Sequence, residues 1–392
     1  MLSKFRLIPL LISAAAAVAA FPAGAARSLP LEEPGFATTA KAAVLMEPES
    51  GTVLYAKNDR QRLPPASITK VMTMLLIMEA VDGGRVRLDE PITASAAAAG
   101  TGGSQVYLRE GEVFSLRKML IAIAVESAND ASTAVAEHLY TTEDDFVRIM
   151  NLRARQLGMR DTHFTNAHGL PDPGHYMSAA DIAVVARELV AKHPRILKYT
   201  AIWTYTFRPG VTELRNTNEL VKLYRGADGL KTGHTDEAGW CLVGTASRNG
   251  MRLLSVVLGT ESNDARLRET RRLLDYGFRN FIRRVVAKKG QAVGSVPVAG
   301  AWGRIKAVAP ANLVTIVPRG RVQVYDTRLA PKKGVRAPLE KGAVVGSLQV
   351  LQGGRVVSSQ LVVAANRVGR AFFLVRGWWA LLGWIRGLFA AR

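Results

Sequence analysis

Cysteine is all but missing: Cys241 is the sole thiol among 392 residues, which excludes an internal disulfide framework and any cysteine-based zinc or iron–sulfur cage. Acid is scarce in the last third. Residues 283–392 hold 19 Lys+Arg against 2 Asp+Glu, a net of +17, while residues 1–282 hold 33 against 30, a net of +3. The formal charge of +20 is therefore a regional property. No convincing internal repeat is present, and low complexity is confined to Ala96–Ala99. With 48% apolar and 21% charged residues the chain can bury a sizeable core, which excludes wholesale disorder, and its length suits two domains of ~100–200 residues.

Both ends read as membrane-related. Met1–Ala25 has the pattern of a secretory signal peptide: Lys4 and Arg6, the apolar run Leu7–Phe21, then small residues Ala23-Gly24-Ala25. A membrane anchor is the rival, but the run is shorter than the ~20 residues a span needs. Either way the chain is expected to be exported, which argues against a nucleic-acid partner despite the charge. At the other end, 369–392 reads as an amphipathic helix. Phe373, Trp378, Leu381, Trp384, Ile385 and Leu388 fall on a broad apolar arc, opposite a narrower face of Arg376, Gly383, Arg386 and Gly387. A transmembrane span would bury two arginines at ~2.5–3.5 kcal/mol each, so a helix lying in the interface of an anionic membrane fits better.

Between the ends, Ala42–Met46 and Thr52–Tyr55 read as a β-hairpin, and Ile68–Ala80 as a helix apolar nearly all round and hence buried on every side. Leu116–Tyr140 is helical on both sides of a polar break, Ser127-Ala128-Asn129-Asp130, and Ala179–Val190 is amphipathic after Ser178. Trp240–Ala246 and Leu253–Leu258 flank Asn249-Gly250, a strong hairpin signal, and Asp264–Ile282 is a charged amphipathic helix. From about 284 to 368, the runs Ala292–Val298, Leu313–Val317, Val322–Tyr325, Val344–Val350 and Val356–Val363 predict a small all-β domain.

Three short motifs carry chemistry: Ser67-Ile68-Thr69-Lys70, Ser127-Ala128-Asn129 and Lys231-Thr232-Gly233. Each is weak alone, since Ser115-Leu116-Arg117-Lys118 and Ser247-Arg248-Asn249 fit two of the patterns equally well. The order, and Ser67 opening a buried helix after Pro64-Pro65, set the first three apart. A serine hydroxyl needs a base to become a nucleophile. Residues three apart share a helix face, so Lys70 can reach Ser67. Burial and a second cation, Lys231, would leave Lys70 neutral enough to accept a proton. Taken singly, Ser67 is as well explained as an N-cap, Ser127 and Asn129 as loop polarity, and Lys231 as a solvated strand residue.

Together the motifs are those of penicillin-binding proteins and β-lactamases. With Asp130, His168-Gly169-Leu170, Asp228-Gly229-Leu230 and His234, the chain resembles the serine D-alanyl-D-alanine carboxypeptidases, the low-molecular-mass penicillin-binding proteins of peptidase S11. Ala128 stands where that family often has glycine. The resemblance implies an α/β serine β-lactamase–transpeptidase-like domain over 36–283, an antiparallel sheet flanked by helices with a helical lobe. A β-sandwich over 284–368 and the C-terminal helix follow. It further implies that Ser67 forms an acyl-ester, Lys70 takes its proton and Ser127 relays a proton to the leaving D-alanine. Asn129 would position substrate, and Lys231 with Thr232 and Gly233 would hold the terminal carboxylate. The backbone N–H groups of Ser67 and His234 would form an oxyanion hole. The implied partners are peptidoglycan stem peptides, with β-lactam antibiotics as covalent inhibitors, no cofactor, and a periplasmic place on the outer face of the inner membrane. A β-lactamase, an endopeptidase or transpeptidase, and a non-catalytic envelope-binding protein are the alternatives.

His163, His168 and His175 lie near Asp161, Asp172 and Asp181, but their spacing matches no zinc motif, so no metal is expected. Cys241 reads as a small core residue.

Overall fold

The computed structural model describes residues 36–370, apart from 302, 321–324 and 353. The expected signal peptide, the amphipathic segment from residue 371 onward and most of the expected strand Val322–Tyr325 lie outside the described residues.

Five strands form the central antiparallel sheet: β1 (Ala42–Glu47), β2 (Thr52–Lys57), β3 (Ala227–Thr235), β4 (Gly239–Arg248) and β5 (Met251–Thr260), in the order β2-β1-β5-β4-β3. The strands are apolar without alternation because both faces are covered. Ala42, Val44 and Met46 of β1 enter one core, while Ala43 and Leu45 enter another. The same period of two divides Leu254 and Val256 from Leu253 and Val257 on β5. Asn249 (φ 51°) and Gly250 (φ 75°) turn β4 into β5, as their sequence predicts, in the paired left-handed conformation that matches the twist of a hairpin. At the end of β1, the buried Glu47 carboxylate accepts the N–H groups of Glu49 (2.9 Å) and Ser50 (2.7 Å), so this acid is satisfied by its own turn.

One face of the sheet carries α1 (Lys70–Asp82), α2 (Leu116–Val125), α3 (Asn129–Tyr140), α4 (Glu143–Gln156) and α5 (Ala179–Lys192); α6 (Asn263–Asn280) covers the other. Every residue of α1 from Lys70 to Met78 is buried. Burying a Met, Leu or Ile side chain contributes ~1.5–3 kcal/mol, so α1 is the mast of the larger core. Ser67 stands in a single 3-10 turn, Ala66–Thr69, ahead of α1 instead of at the start of the α-helix itself.

The chain continues into β6 (Phe281–Ala287), β7 (Ala292–Pro297), β8 (Arg304–Val308), β9 (Leu313–Pro318), β10 (Asp326–Pro331), β11 (Val344–Gln352) and β12 (Arg355–Ala364). β6 pairs with β9, and the other five form a sheet ordered β7-β8-β12-β11-β10. The two sheets enclose Ala287, Val296, Leu313, Leu348 and Val362, and Ser358 Oγ donates across them to Val314 O at 3.1 Å. This is the expected small β-sandwich. Phe281 and Ile316 reach back into the core under α6, and Arg283 pairs with Glu49 at 2.9 Å.

Candidate active site

Two serines with a lysine three residues later separate on geometry. Ser115 is the N-cap of α2: its hydroxyl accepts the Lys118 N–H at 3.3 Å, while Lys118 Nζ turns away to Phe207 O at 3.1 Å. Ser67 caps nothing, because its turn starts from Pro65 without a side-chain bond. Its hydroxyl accepts instead from Lys70 Nζ at 2.9 Å. Ser247, the other look-alike, lies within β4.

Lys70 is fully buried, and its Nζ also donates to Asn129 Oδ1 (2.6 Å) and His168 O (2.7 Å). Burial first, and then the nearby Lys231 ammonium, hold its pKa well below the ordinary lysine value, against an opposing pull from Asp130. The two carbonyl oxygens can only accept. Once Lys70 is neutral they retain its two N–H groups, and the lone pair is left for the Ser67 hydroxyl. This is how a weak nucleophile is activated by position.

The carbonyl of His168 is fixed by a segment whose importance the sequence does not announce. Gly169 has φ 93°, and a Cβ there would lie 1.9 Å from Ala66 O. Thr69 Oγ1 donates to Ala66 O (2.8 Å), so it accepts from His175 Nε2 (2.8 Å). His175 Nδ1 in turn accepts the Thr165 N–H at 3.3 Å, which assigns the Nε2–H tautomer. Burial lowers the His175 pKa to about 4 and that of His168 to about 3, with the Lys70 charge adding to the latter. His163 Nδ1 meets Gly174 O at 2.8 Å. The three histidines thus serve the backbone and the 3-10 turn.

Ser127 is buried between α2 and α3 in the left-handed region, φ 67°. Asn129, two residues on, donates from Nδ2 to Gly102 O (2.7 Å) while its Oδ1 takes Lys70. The Asp130 carboxylate accepts the N–H groups of Val106 (3.1 Å), Leu108 (3.0 Å) and Ala131 (2.8 Å), tying the 101–109 loop to the head of α3.

The third motif lies on β3, at the edge of the sheet. Gly233 is required by proximity: a Cβ would stand 3.0 Å from Pro65 O and 3.1 Å from Ile68 N, so β3 runs directly against the turn that holds Ser67. Lys231 is buried, and its one hydrogen bond among the described residues, to Thr232 O at 2.9 Å, leaves N–H groups for a ligand. Burial and the Arg266 guanidinium lower its pKa to about 7, with Glu126 opposing. Thr232 Oγ1 meets Thr217 Oγ1 at 2.7 Å. His234 is exposed and stacks on Trp240, ring centroids 3.9 Å apart, with Arg266 Cζ 4.9 Å from the Trp240 ring. Arg266 also donates to Gly233 O (3.4 Å). No motif marks Arg266 or Glu126; a charged residue buried in the first turns of α6 is visible only once the helix is docked.

Residues 29–262 match the peptidase S11 family, described as D-alanyl-D-alanine carboxypeptidase, and residues 281–370 match the C-terminal domain of penicillin-binding protein 5. The chain is 38% identical to the D-alanyl-D-alanine carboxypeptidase DacF of Bacillus subtilis over 340 residues, 86% of this chain and 87% of the relative. It is 32% identical to DacA of Haemophilus influenzae, over 90% of this chain and 91% of that one. Penicillin-binding protein 5 from Haemophilus influenzae superposes with a TM-score of 0.75 at 32% identity, covering 86% of this chain and all (100%) of that structure. Penicillin-binding protein D2 from Listeria monocytogenes, in its ampicillin-bound form, gives a TM-score of 0.57 at 34% identity, over 62% of this chain and 100% of that one. With the paired serine and lysine, the edge strand against them and likeness along most of its length, the chain belongs to peptidase S11, the serine D-alanyl-D-alanine carboxypeptidases of the penicillin-binding protein family.

Proposed function

We propose that this carboxypeptidase removes the terminal D-alanine of peptidoglycan stem peptides through an acyl-ester on Ser67. The observation that carries the assignment of residues is the 2.9 Å contact between Ser67 Oγ and a buried Lys70 whose other partners are carbonyl oxygens. Lys70 takes the hydroxyl proton as Ser67 attacks the penultimate carbonyl. The oxyanion forms toward the N–H groups of Ser67 and His234, a type of stabilisation worth ~3–4 kcal/mol per donor. Ser127 passes a proton to the departing D-alanine nitrogen, and water then hydrolyses the ester. Asn129 acts as a positioning residue for Lys70 and the 102 backbone, and Lys231 with Thr232 receives the terminal carboxylate. A β-lactam ring is opened by the same attack and stays on Ser67. We assign catalysis to 36–283, which holds all three motifs, and no catalytic step to 284–368. The composition of 369–392 supports peripheral attachment to a membrane from the periplasmic side.

Ser67→Ala is expected to lose all labelling by radioactive penicillin while the thermal midpoint stays within a few degrees of wild type, since no cap is lost. Label that survives the substitution, or that maps to the Ser115 peptide, contradicts the assignment.

The lysine pair sets the pH dependence. Lys231 holds its proton below about 7 and loses it above, so carboxylate binding weakens as pH rises through that value. Lys70 must be neutral to act as base, and its pKa, lowered from the ordinary lysine value by burial and by the Lys231 ammonium, sets the acid limb. kcat/KM should therefore be bell-shaped, with the alkaline loss in KM. Lys231→Arg keeps a cation to far higher pH and should move the alkaline limb up at a raised KM. An alkaline limb unmoved by that variant belongs to another group.

A further inference from the structure

Seven cations of the β-sandwich lie towards one end, while Arg283, Arg284, Lys288, Lys289, Arg319 and Arg328 lie elsewhere. Arg304 lies opposite Pro297 across β7 and β8, and Arg336 is bridged to Ala299 just beyond. Ala299 N–H donates to Val335 O (3.0 Å), which brings the exposed turn bearing Lys332 and Lys333 to the same place. The bridge between Leu339 and Val368 then seats Arg367 and Arg370 there, with Lys341 next in line. Among the described residues the acid at this end is Glu340, already paired with Arg367 at 3.2 Å. The other end of β7 carries Lys288 and Lys289, in the turn closed by Gly290 N–H on Ala309 O. Val368 also fixes where the chain departs: the segment with Trp378, Trp379 and Trp384 begins at the cationic end.

We infer that the Pro297–Ala301 end of the β-sandwich is a docking surface for an anionic phospholipid bilayer, so that the domain itself, and not the tail alone, touches the headgroups. This rests on the membrane reading of the tail. The cations come from four stretches of chain, at 304, 332–336, 341 and 367–370, which strand register and the two bridges bring together, whereas mere solubility would be served by any distribution. The occupant must be anionic and must lie where an apolar, tryptophan-rich segment emerges. A bilayer with acidic headgroups meets both conditions, since a cation at such a surface contributes about fivefold in partitioning, ~1 kcal/mol.

The test uses the full chain and phosphatidylcholine vesicles with or without phosphatidylglycerol. Lys333→Gln/Arg336→Gln should weaken binding to the anionic vesicles by roughly 25-fold at low salt, two cations' worth. Binding to neutral vesicles and penicillin labelling should be unchanged. Lys288→Gln/Lys289→Gln removes the same charge from the other end of β7 and should change anionic binding little. The difference should vanish in ~1 M salt, where the screening length falls to ~3 Å. Equal losses in the two double variants, or none in either, overturn the proposal. Failure of every form to bind neutral vesicles would instead reject the tail reading, leaving the anionic comparison to judge the β-sandwich. A Lys333/Arg336 effect seen on isolated cell-wall sacculi and not on vesicles also overturns it, in favour of a polymeric partner.

Discussion

Lys70→Arg should all but abolish acylation of Ser67, with a loss on the order of 10²–10⁴ in rate, the scale of losing a positioned general base. The reason is geometric as well as acid–base. Arginine stays protonated at any usable pH, and its planar fork cannot reproduce three acceptors arranged around one nitrogen. In a fully buried site the added volume must also displace Ser67, Asn129 or the His168 carbonyl. Penicillin labelling measured alongside near-ultraviolet circular dichroism separates loss of chemistry from loss of fold. A folded variant that still acylates within tenfold of wild type would remove Lys70 from the role of base.

Gly169→Ala is expected to be the most damaging methyl group added at any described glycine. The new Cβ would stand 1.9 Å from Ala66 O, 2.4 Å from Ala66 C and 2.8 Å from Thr69 Oγ1, against the backbone of the turn that holds the nucleophile. Overpacking of this kind costs ~1–3 kcal/mol, and the left-handed backbone adds ~1 kcal/mol or more for a residue with a Cβ. Gly210→Ala is the matched control. It has φ 70° and open space around the added methyl, so it isolates the backbone contribution. Chemical denaturation should show Gly210→Ala down by ~1 kcal/mol and fully active. Gly169→Ala should lose ~3 kcal/mol or more together with most acylation. Similar effects in the two variants would mean that the His168 segment does not brace the site.

The sequence discloses most of the peptidase fold because its signals are local. Asn249-Gly250 announces a hairpin, Ser178 a helix start, and an unbroken apolar stretch a helix buried on all sides. It is quieter on α4, whose apolar residues Phe146, Met150 and Ala154 are thinly spaced among charges, although Thr142 and the acids after it mark its start. The strand β8 escapes notice because Arg304 and Lys306 alternate with Ile305 and Ala307 over too few residues to stand out. At the site, Ser67 and Lys70 are legible because three residues of one helical turn bring them together. What is not legible is the framing. The His168 carbonyl, the Gly169 approach, the Asp130 clamp and the Arg266 cation reach the site from elements 60 to 196 residues away from Lys70, as 130 − 70 and 266 − 70 show. Only the folded topology brings them into range.

Cys241 has a practical use that follows from its burial. It lies in β4 with its side chain wholly enclosed, and burial pushes the thiol up to about 11, so in the native protein it is both hidden and protonated. Alkylating reagents need thiolate and access. Both become available only when the central sheet opens. The rate at which this one residue is alkylated is thus an intrinsic clock of sheet opening, readable by mass in crude mixtures without any engineered label, and covalent occupancy of Ser67 by an inhibitor should slow it.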